Sequence, residues 1–338
     1  MKPIRLGMIG LGFIPTSAHL PGLAPLIENG TVVLQAFCDS NEETLQEQAA
    51  AYKPKAAYNN HHELFEREQL DAIYLCIPPT LHTDEMLIAA DKGIAVFVEK
   101  PQSMDLAQAM RFNDAVQKAG IVTQVGFVHR YEPAVEPLRQ LLAQRRPRHA
   151  LLQALYGGKP LRYWTSRYEL CGGSFVENTI HRVDLLRYFL GDIAAVSAFY
   201  VDSTPEERIE PMNLPHVYNV NYRLASGLTA NACTSRVLTN AGNSRREFMV
   251  VSDDSLIEWY PDRIVENDEV VWKTEIEESP FATQARAFIA AVQAGDPGMP
   301  LSPCANGINT LAAVLGANAS AERGGELIHL DQMVETDS

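Results

Sequence analysis

Apolar and polar positions follow two different regimes along this chain. Up to residue 126, compact apolar runs stand at 6–9, 32–37, 72–77, 95–98 and 122–125. Uninterrupted runs of that kind read as strands buried on both faces, as in a parallel sheet. Between them, apolar residues recur at helical spacing over 20–28, 41–51, 83–92 and 106–119, with Gly93 and Gly120 where helices should stop. Strand and helix in alternation, joined by short connections, predict βαβ units and a doubly wound sheet.

From residue 127 the pattern changes. A helix beginning near Pro133 precedes strand-like stretches at 150–156, 196–202, 217–224, 228–234, 248–251, 256–260, 264–266 and 270–273. The run Tyr218-Asn219-Val220-Asn221-Tyr222 alternates with a period of two, which predicts a sheet with two unlike faces. Strand after strand without intervening helices predicts a mainly antiparallel, open sheet. Two late helices, near 281–293 and 305–323, are expected to pack back on that sheet or on the first domain. The expected fold class is α/β, with a doubly wound parallel-sheet domain at 1–126 and a larger α/β domain at 127–338. A large sheet with one uncovered face also predicts self-association.

Composition excludes several classes. A net charge of -14, with a pI near 5.1, argues against a nucleic-acid partner, whose binding surfaces are basic. No stretch reaches the roughly 18 to 20 apolar residues of a membrane span. The start, Met1-Lys2-Pro3-Ile4-Arg5, runs straight into the first strand without a leader-like apolar segment. Five scattered cysteines, none in a CxxC pair, fit reduced thiols rather than a disulfide framework or a zinc site. The expectation is a cytoplasmic protein that engages neither membrane nor nucleic acid. No metal is expected: His61-His62 sits in a polar, helix-like patch with no matching ligand cluster and reads as solvated.

Candidate chemistry concentrates at three places. Gly10-Leu11-Gly12-Phe13-Ile14-Pro15 follows a strand and opens a helix, the context in which a glycine pattern binds a dinucleotide. Gly10 permits the tight turn and Gly12 lets backbone approach a pyrophosphate; Pro15 suits a first helical turn but removes one donor. Asp39 ends the second strand, somewhat more than the usual ~20 residues past the glycines, and suits adenosine ribose hydroxyls. With no basic residue directly after it, NAD is favoured over NADP. Capping of the next helix is the competing role for Asp39, although Ser40 or Asn41 serves equally well.

Lys100 closes the run Ala95-Val96-Phe97-Val98-Glu99-Lys100-Pro101. In a parallel sheet, ligands lie beyond the carboxyl ends of the strands. Taken alone, a strand-ending lysine is more often solvated. The third place is Cys171-Gly172-Gly173-Ser174-Phe175-Val176-Glu177-Asn178-Thr179-Ile180-His181-Arg182-Val183-Asp184, in a helix that runs to Leu190. At about 100° per residue, Glu177, His181, Asp184 and Tyr188 share one stripe, which faces solvent or a cleft. A neutral histidine beside a carboxylate suits general-base chemistry near neutral pH.

Together these segments resemble the Gfo/Idh/MocA oxidoreductases, the glucose-fructose oxidoreductase and inositol dehydrogenase group. The resemblance rests on Ile9-Gly10-Leu11-Gly12 with His19-Leu20-Pro21, on Ile77-Pro78-Pro79-Thr80-Leu81-His82, and on Glu99-Lys100-Pro101. It continues through Gly126-Phe127 with Arg130-Tyr131, and the segment from Gly172-Gly173 to His181 and Asp184. It covers nearly the whole chain, and the order and spacing of the motifs are what make it specific.

The resemblance implies a Rossmann domain followed by an α/β domain whose open sheet builds homodimers or homotetramers. It also implies a catalytic Lys100 and a proton-transferring His181, with NAD bound by Gly10, Gly12, Phe13, Ile14, Asp39, Pro78, His82, Glu99 and Lys100. The implied activity is hydride transfer between the nicotinamide and a secondary hydroxyl or ketone of a sugar, inositol or related polyol. Glu177 would join His181 as a catalytic and substrate-binding group, with Arg130, Tyr163, Trp164 and Arg167 as further substrate contacts. Two other activities fit the same family: an NAD-dependent glycoside hydrolase and a non-catalytic dinucleotide-binding sugar sensor. Two departures stand out: Cys171 replaces the family's frequent glycine, and Glu177 its usual aspartate.

Overall fold

The computed structural model describes residues 2–157, 162–203, 212–238 and 245–335. The chain divides into two compact units, Met1–Ser103 with Gln108–Tyr131 and Glu277–Gly307, and Met104–Ala107 with Glu132–Ile276 and Ile308–Ser338.

The first unit is built on six strands: β1 (Ile4–Ile9), β2 (Val32–Cys38), β3 (Ala56–Tyr58), β4 (Ala72–Leu75), β5 (Ala95–Val98) and β6 (Thr123–Val125). All pair in parallel, in the order β3-β2-β1-β4-β5-β6. Every residue of β4 and β5 is buried, as their unbroken apolar sequences require. The strand order reverses between β1 and β4, and the crevice at that switch is where such sheets bind ligands.

Helices α1 (Leu20–Glu28), α2 (Glu42–Tyr52), α3 (His61–Arg67), α4 (Glu85–Asp91) and α5 (Leu106–Ala119) connect these strands. A π-helical turn, Pro15–His19, leads into α1, and the Leu20 N–H donates to the Pro15 carbonyl across it. Pro21 has no N–H to return to Ser17, so the regular bonding pattern cannot begin any earlier. β3 and α3 are too short to show a period, which is why the hydrophobic pattern does not reveal them.

The second unit adds α6 (Val135–Leu142), β7 (Pro147–Gly157), α7 (Tyr168–Cys171) and α8 (Ile180–Leu190). Strands β8 (Ile193–Asp202), β9 (Pro215–Leu224), β10 (Thr229–Leu238), β11 (Arg245–Ser252), β12 (Leu256–Tyr260), β13 (Arg263–Glu266) and β14 (Glu269–Lys273) follow. Helix α9 (Pro280–Ala294) belongs to the first unit, and α10 (Cys304–Glu322), β15 (Ile328–His329) and α11 (Leu330–Glu335) are the last elements described. The sheet runs β14-β13-β12-β11-β7-β10-β9-β8-β15. Among the described residues of this sheet only β7 and β10 pair in parallel; the other pairs are antiparallel.

The alternation in β9 has the predicted consequence. Tyr218, Val220, Tyr222 and Leu224 are buried, whereas Asn219, Asn221 and Arg223 are exposed. The buried face meets α8 through Phe189 against Phe248, 5.5 Å between ring centres. It meets α10 through the Tyr222 hydroxyl, which donates to the Ala313 carbonyl at 3.3 Å. On the other face Asn231 donates to the side-chain oxygens of Asn219 and Asn221, each at 3.0 Å. Phe199 and Val201 of β8 are exposed.

Helix α9 completes the core of the first unit despite its late place in the chain. Ser279 caps it by accepting the Phe281 N–H, and Gly295 ends it. Its Phe288 lies 5.6 Å from Tyr74 and 5.8 Å from Phe97, two rings that stack at 4.2 Å. Phe288→Ala should therefore destabilise the first unit by about 3–5 kcal/mol. Urea unfolding followed by circular dichroism reads this as an earlier transition.

Candidate active site

The glycine turn sits at the end of β1. Gly10 has φ +86°, and a Cβ there would lie 2.4 Å from the Cys76 carbonyl oxygen, so only glycine fits. The Gly10 N–H donates to the Cys38 carbonyl at 2.8 Å, fastening the turn to the end of β2. Gly12 differs: a Cβ there would meet nothing within 4 Å, which leaves the front of the turn open for a ligand's close approach. Phe13 is exposed beside it and Ile14 is half-buried.

Asp39 is part of the same construction. One carboxylate oxygen accepts the Leu11 N–H at 2.8 Å and the other accepts the Asn41 N–H at 2.8 Å. Asn41, not Asp39, caps α2, accepting the Thr44 N–H at 2.9 Å. Each carboxylate oxygen keeps a second lone pair for an incoming hydroxyl.

At the end of β5, Glu99 turns inward. Its Oε1 lies 2.6 Å from Nε2 of His19, a residue 1 % exposed and ringed edge-on by Tyr74, Phe97 and Phe281. Its Oε2 accepts the Lys100 backbone N–H at 3.0 Å. Burial alone would raise the Glu99 pKa. The hydrogen bond and charge of His19, with the charge of Lys100, hold it below the ordinary carboxylate value instead. The two oxygens named as a cofactor contact are thus engaged by the chain itself. Lys100 is half-buried, and its bond to Pro101 is cis.

His82 follows a short 3₁₀ turn, Pro79–Leu81, that begins after half-buried Pro78. Its Nδ1 makes a very short hydrogen bond to Glu85, and both side chains are almost fully buried. The opposite nitrogen, Nε2, is buried without a partner among the described residues. An orphaned polar atom at this depth is costly unless a ligand meets it. With the open Gly12 turn and the Asp39 carboxylate, it makes the first unit fit a dinucleotide. Gly10, Gly12 and Asp39 would hold it, and His82 Nε2 would offer one further polar contact.

In the second unit Gly172 and Gly173 have φ +68° and +87°. A Cβ on Gly173 would lie 2.7 Å from the Tyr218 hydroxyl, which accepts the Ser174 N–H at 3.0 Å. Cys171, by contrast, ends α7 without positive φ and is fully buried. A side chain is therefore tolerated where the family pattern has a third glycine, and burial pushes the Cys171 thiol up to about 12. Phe175–Thr179 is a π-helical turn, and regular α8 begins only at Ile180. Glu177 is buried within that turn; His181 is half-buried, with Nδ1 out of solvent.

The single stripe expected from uniform helical spacing is not what forms. A π turn is wider than an α turn, so it shifts Glu177 in phase relative to the residues of α8. Asp184 is buried and accepts from the Thr310 hydroxyl at 3.0 Å, the same hydroxyl that Arg187 reaches at 2.5 Å.

The remaining candidates fall in different places. Arg130 is buried in the first unit, donating to the Leu301 carbonyl and, at 2.6 Å, to Asn306. Tyr163 is 63 % exposed, with the Arg167 guanidinium 5.7 Å from its ring centre; Arg167 also donates to Glu169 at 2.9 Å. Half-buried Trp164 opens a 3₁₀ turn and lies 5.8 Å from the Arg162 guanidinium. Pattern reading missed His19 and Glu85 as partners of Glu99 and His82. His19 stood within a quoted motif, but nothing in its local spacing pointed to a residue so far along the chain.

Comparison with known proteins bears on the fold and the family. A model described as "Oxidoreductase family, NAD-binding Rossmann fold" matches residues 4–127, and one for the GFO/IDH/MocA C-terminal domain matches residues 146–256. The chain belongs to the Gfo/Idh/MocA family.

It is 28% identical over 189 residues to a myo-inositol 2-dehydrogenase of Thermotoga maritima, 56% of this chain and 55% of that one. It is 31% identical over 147 residues to a scyllo-inositol 2-dehydrogenase (NAD(+)) of Bacillus subtilis, 40% of either chain. The chain thus spans about half the length, or less, of these curated relatives. Among solved structures, an oxidoreductase from Thermotoga maritima superposes with a TM-score of 0.86 at 22% identity, over 98% of this chain and 99% of that one. A levoglucosan dehydrogenase in complex with NADH and levoglucosan superposes at 0.84 and 18% identity, over 97% and 99%. At those identities the two structures attest the fold alone.

Within this Gfo/Idh/MocA chain the His82–Glu85 pair has a clear pH signature. Burial would raise the Glu85 pKa, but the hydrogen bond and charge of His82 and the Thr83 N–H bring it down to about 2. A carboxylate whose folded value is depressed stabilises the fold above its unfolded value, and loses that contribution as pH falls through the folded one. Glu85→Gln should cost on the order of 3 kcal/mol above pH about 5. The gap to the parent should close as pH falls from about 4.5 toward 2; urea midpoints across that range measure it.

Proposed function

We propose that this chain is an NAD-dependent dehydrogenase that oxidises a secondary hydroxyl of a sugar, inositol or related polyol. The observation that carries the reading is Lys100 at the carboxyl end of β5, in the unit whose switch point holds the Gly10–Gly12 turn and Asp39. The relatives support the substrate class: two are named as inositol dehydrogenases, and a solved neighbour is in complex with NADH and levoglucosan.

In this reading Lys100 hydrogen-bonds the reacting oxygen and stabilises negative charge on it as the bond order changes. His181 accepts the hydroxyl proton as general base, and Glu177 binds a neighbouring hydroxyl and fixes the substrate's orientation. A bound nicotinamide would supply the hydride acceptor. Tyr163, Trp164 and Arg167 are assigned to the substrate's outer hydroxyls; Arg130, already committed to Leu301 and Asn306, is left out. Asp39 favours NAD because a carboxylate repels a 2′-phosphate.

No helix among the described residues is long and apolar enough to cross a membrane. The reading places the protein in the cytoplasm as a homodimer or homotetramer formed through the open face of the nine-stranded sheet, where Phe199 and Val201 are exposed.

Two measurements test the proposal. Lys100→Met should retain NAD binding by calorimetry while turnover falls by roughly 10²–10⁴-fold, the usual worth of such groups. Near-normal turnover in that variant would sink the assignment. A panel of sugars, inositols and aryl glycosides, run with NAD⁺ and with NADP⁺, should give NADH from polyols and a preference for NAD⁺. Sugar release without net NADH would indicate the hydrolase chemistry instead.

A further inference from the structure

The structure gives His61 and His62 a neighbour that local sequence does not supply. Both residues open α3, where Asn60 caps the helix by accepting the His62 N–H at 2.8 Å. Asp84 occupies the cap position of α4, yet its side chain makes no cap hydrogen bond. Its Oδ1 lies 2.8 Å from Nε2 of His61 and 3.7 Å from Nε2 of His62. The two rings lie face to face, 4.1 Å between centres with a 33° tilt. All three candidate ligand atoms lie within 4.8 Å of one another.

These distances carry more than a surface ion pair. Two ligands on a tetrahedral zinc ion, with bonds of about 2.0–2.2 Å, stand about 3.3–3.6 Å apart. The observed separations from Asp84 Oδ1, 2.8 and 3.7 Å, bracket that range. Side-chain movement alone, without any change of backbone, would centre an ion among them. Two imidazoles and one carboxylate are a donor set that late first-row divalent ions prefer over magnesium or calcium. The third protein ligand leaves a fourth position for water. Apolar Phe65, buried and edge-on to His61 at 6.5 Å, walls one side.

We propose that His61, His62 and Asp84 bind one divalent ion of the zinc class. The ion links the start of α3 to the start of α4, directly beside the Glu85 that holds His82. Occupancy therefore restrains the segment that presents His82, independently of the reaction proposed above.

The test uses the full chain after chelator treatment, titrated with ZnCl₂ by isothermal calorimetry alongside hydrogen exchange. The expected result is one ion per chain, with slower amide exchange over residues 82–91 once zinc is present. His62→Ala, at a side chain 56 % exposed, should keep the native circular dichroism spectrum. It should weaken zinc binding at least tenfold, and Asp84→Asn should do the same. Absence of stoichiometric binding overturns the proposal. So does binding of equal strength in the His62→Ala and Asp84→Asn proteins, which would place the ion elsewhere. Because the readouts are affinity and amide exchange, a chain without dehydrogenase activity tests the site equally well.

Discussion

A buried carboxylate organises the first unit. Glu99 lies beneath the end of β5, where an isolated charge would cost several kcal/mol. His19, drawn in from the turn before α1, is the partner that makes its burial tolerable. Through its second oxygen Glu99 holds the Lys100 backbone, so the lysine's position follows from the histidine's. The end of β6 is tied to the same point: a Cβ on Gly126 would lie 2.8 Å from Glu99 Oε1. Three segments far apart in sequence thereby converge on one negative charge. The aromatic rings around His19 keep water from the histidine, which strengthens the interaction and raises the cost of losing either member.

Each candidate site begins with a π-helical turn rather than a regular helix. In the first unit the turn runs from Pro15 to His19, and in the second from Phe175 to Thr179. Such turns are uncommon and concentrate where side chains must be re-aimed. In the first case Pro21 supplies a reason, since it lacks the N–H that would donate to Ser17 in a regular helix begun at Pro15. The second contains no proline. There the positive-φ pair Gly172-Gly173 and the Tyr218 hydroxyl on the Ser174 N–H fix how the chain enters the helix.

The architecture was largely legible because long apolar periods report burial directly. The parallel strands of the first unit, the alternating β9 and the late helices all follow from spacing. The short elements β3, β15 and α11 were not, since a few residues contain too little of a period to register, and α3 showed only as a helix-like patch at His61-His62. Site geometry divided along a similar line. The glycine turn at Gly10 and the acid at Asp39 stand out by their place at strand ends, whereas Lys100 taken alone reads as solvated. The pairings His19–Glu99 and His82–Glu85 do not stand out, because a buried partner is chosen by tertiary packing. The stripe from Glu177 to Tyr188 failed for a different reason: it assumed one helical pitch across a segment that uses two.

Asp39 illustrates how function and scaffold share an atom. The carboxylate that suits an adenosine ribose also accepts the Leu11 N–H and so braces the glycine turn from behind. Under the proposed reading, cofactor preference is consequently not a detachable property of this chain. A lineage drifting toward a 2′-phosphorylated cofactor would first need another acceptor for the Leu11 amide. That prerequisite makes the change a path of at least two ordered steps, with the structural one coming first.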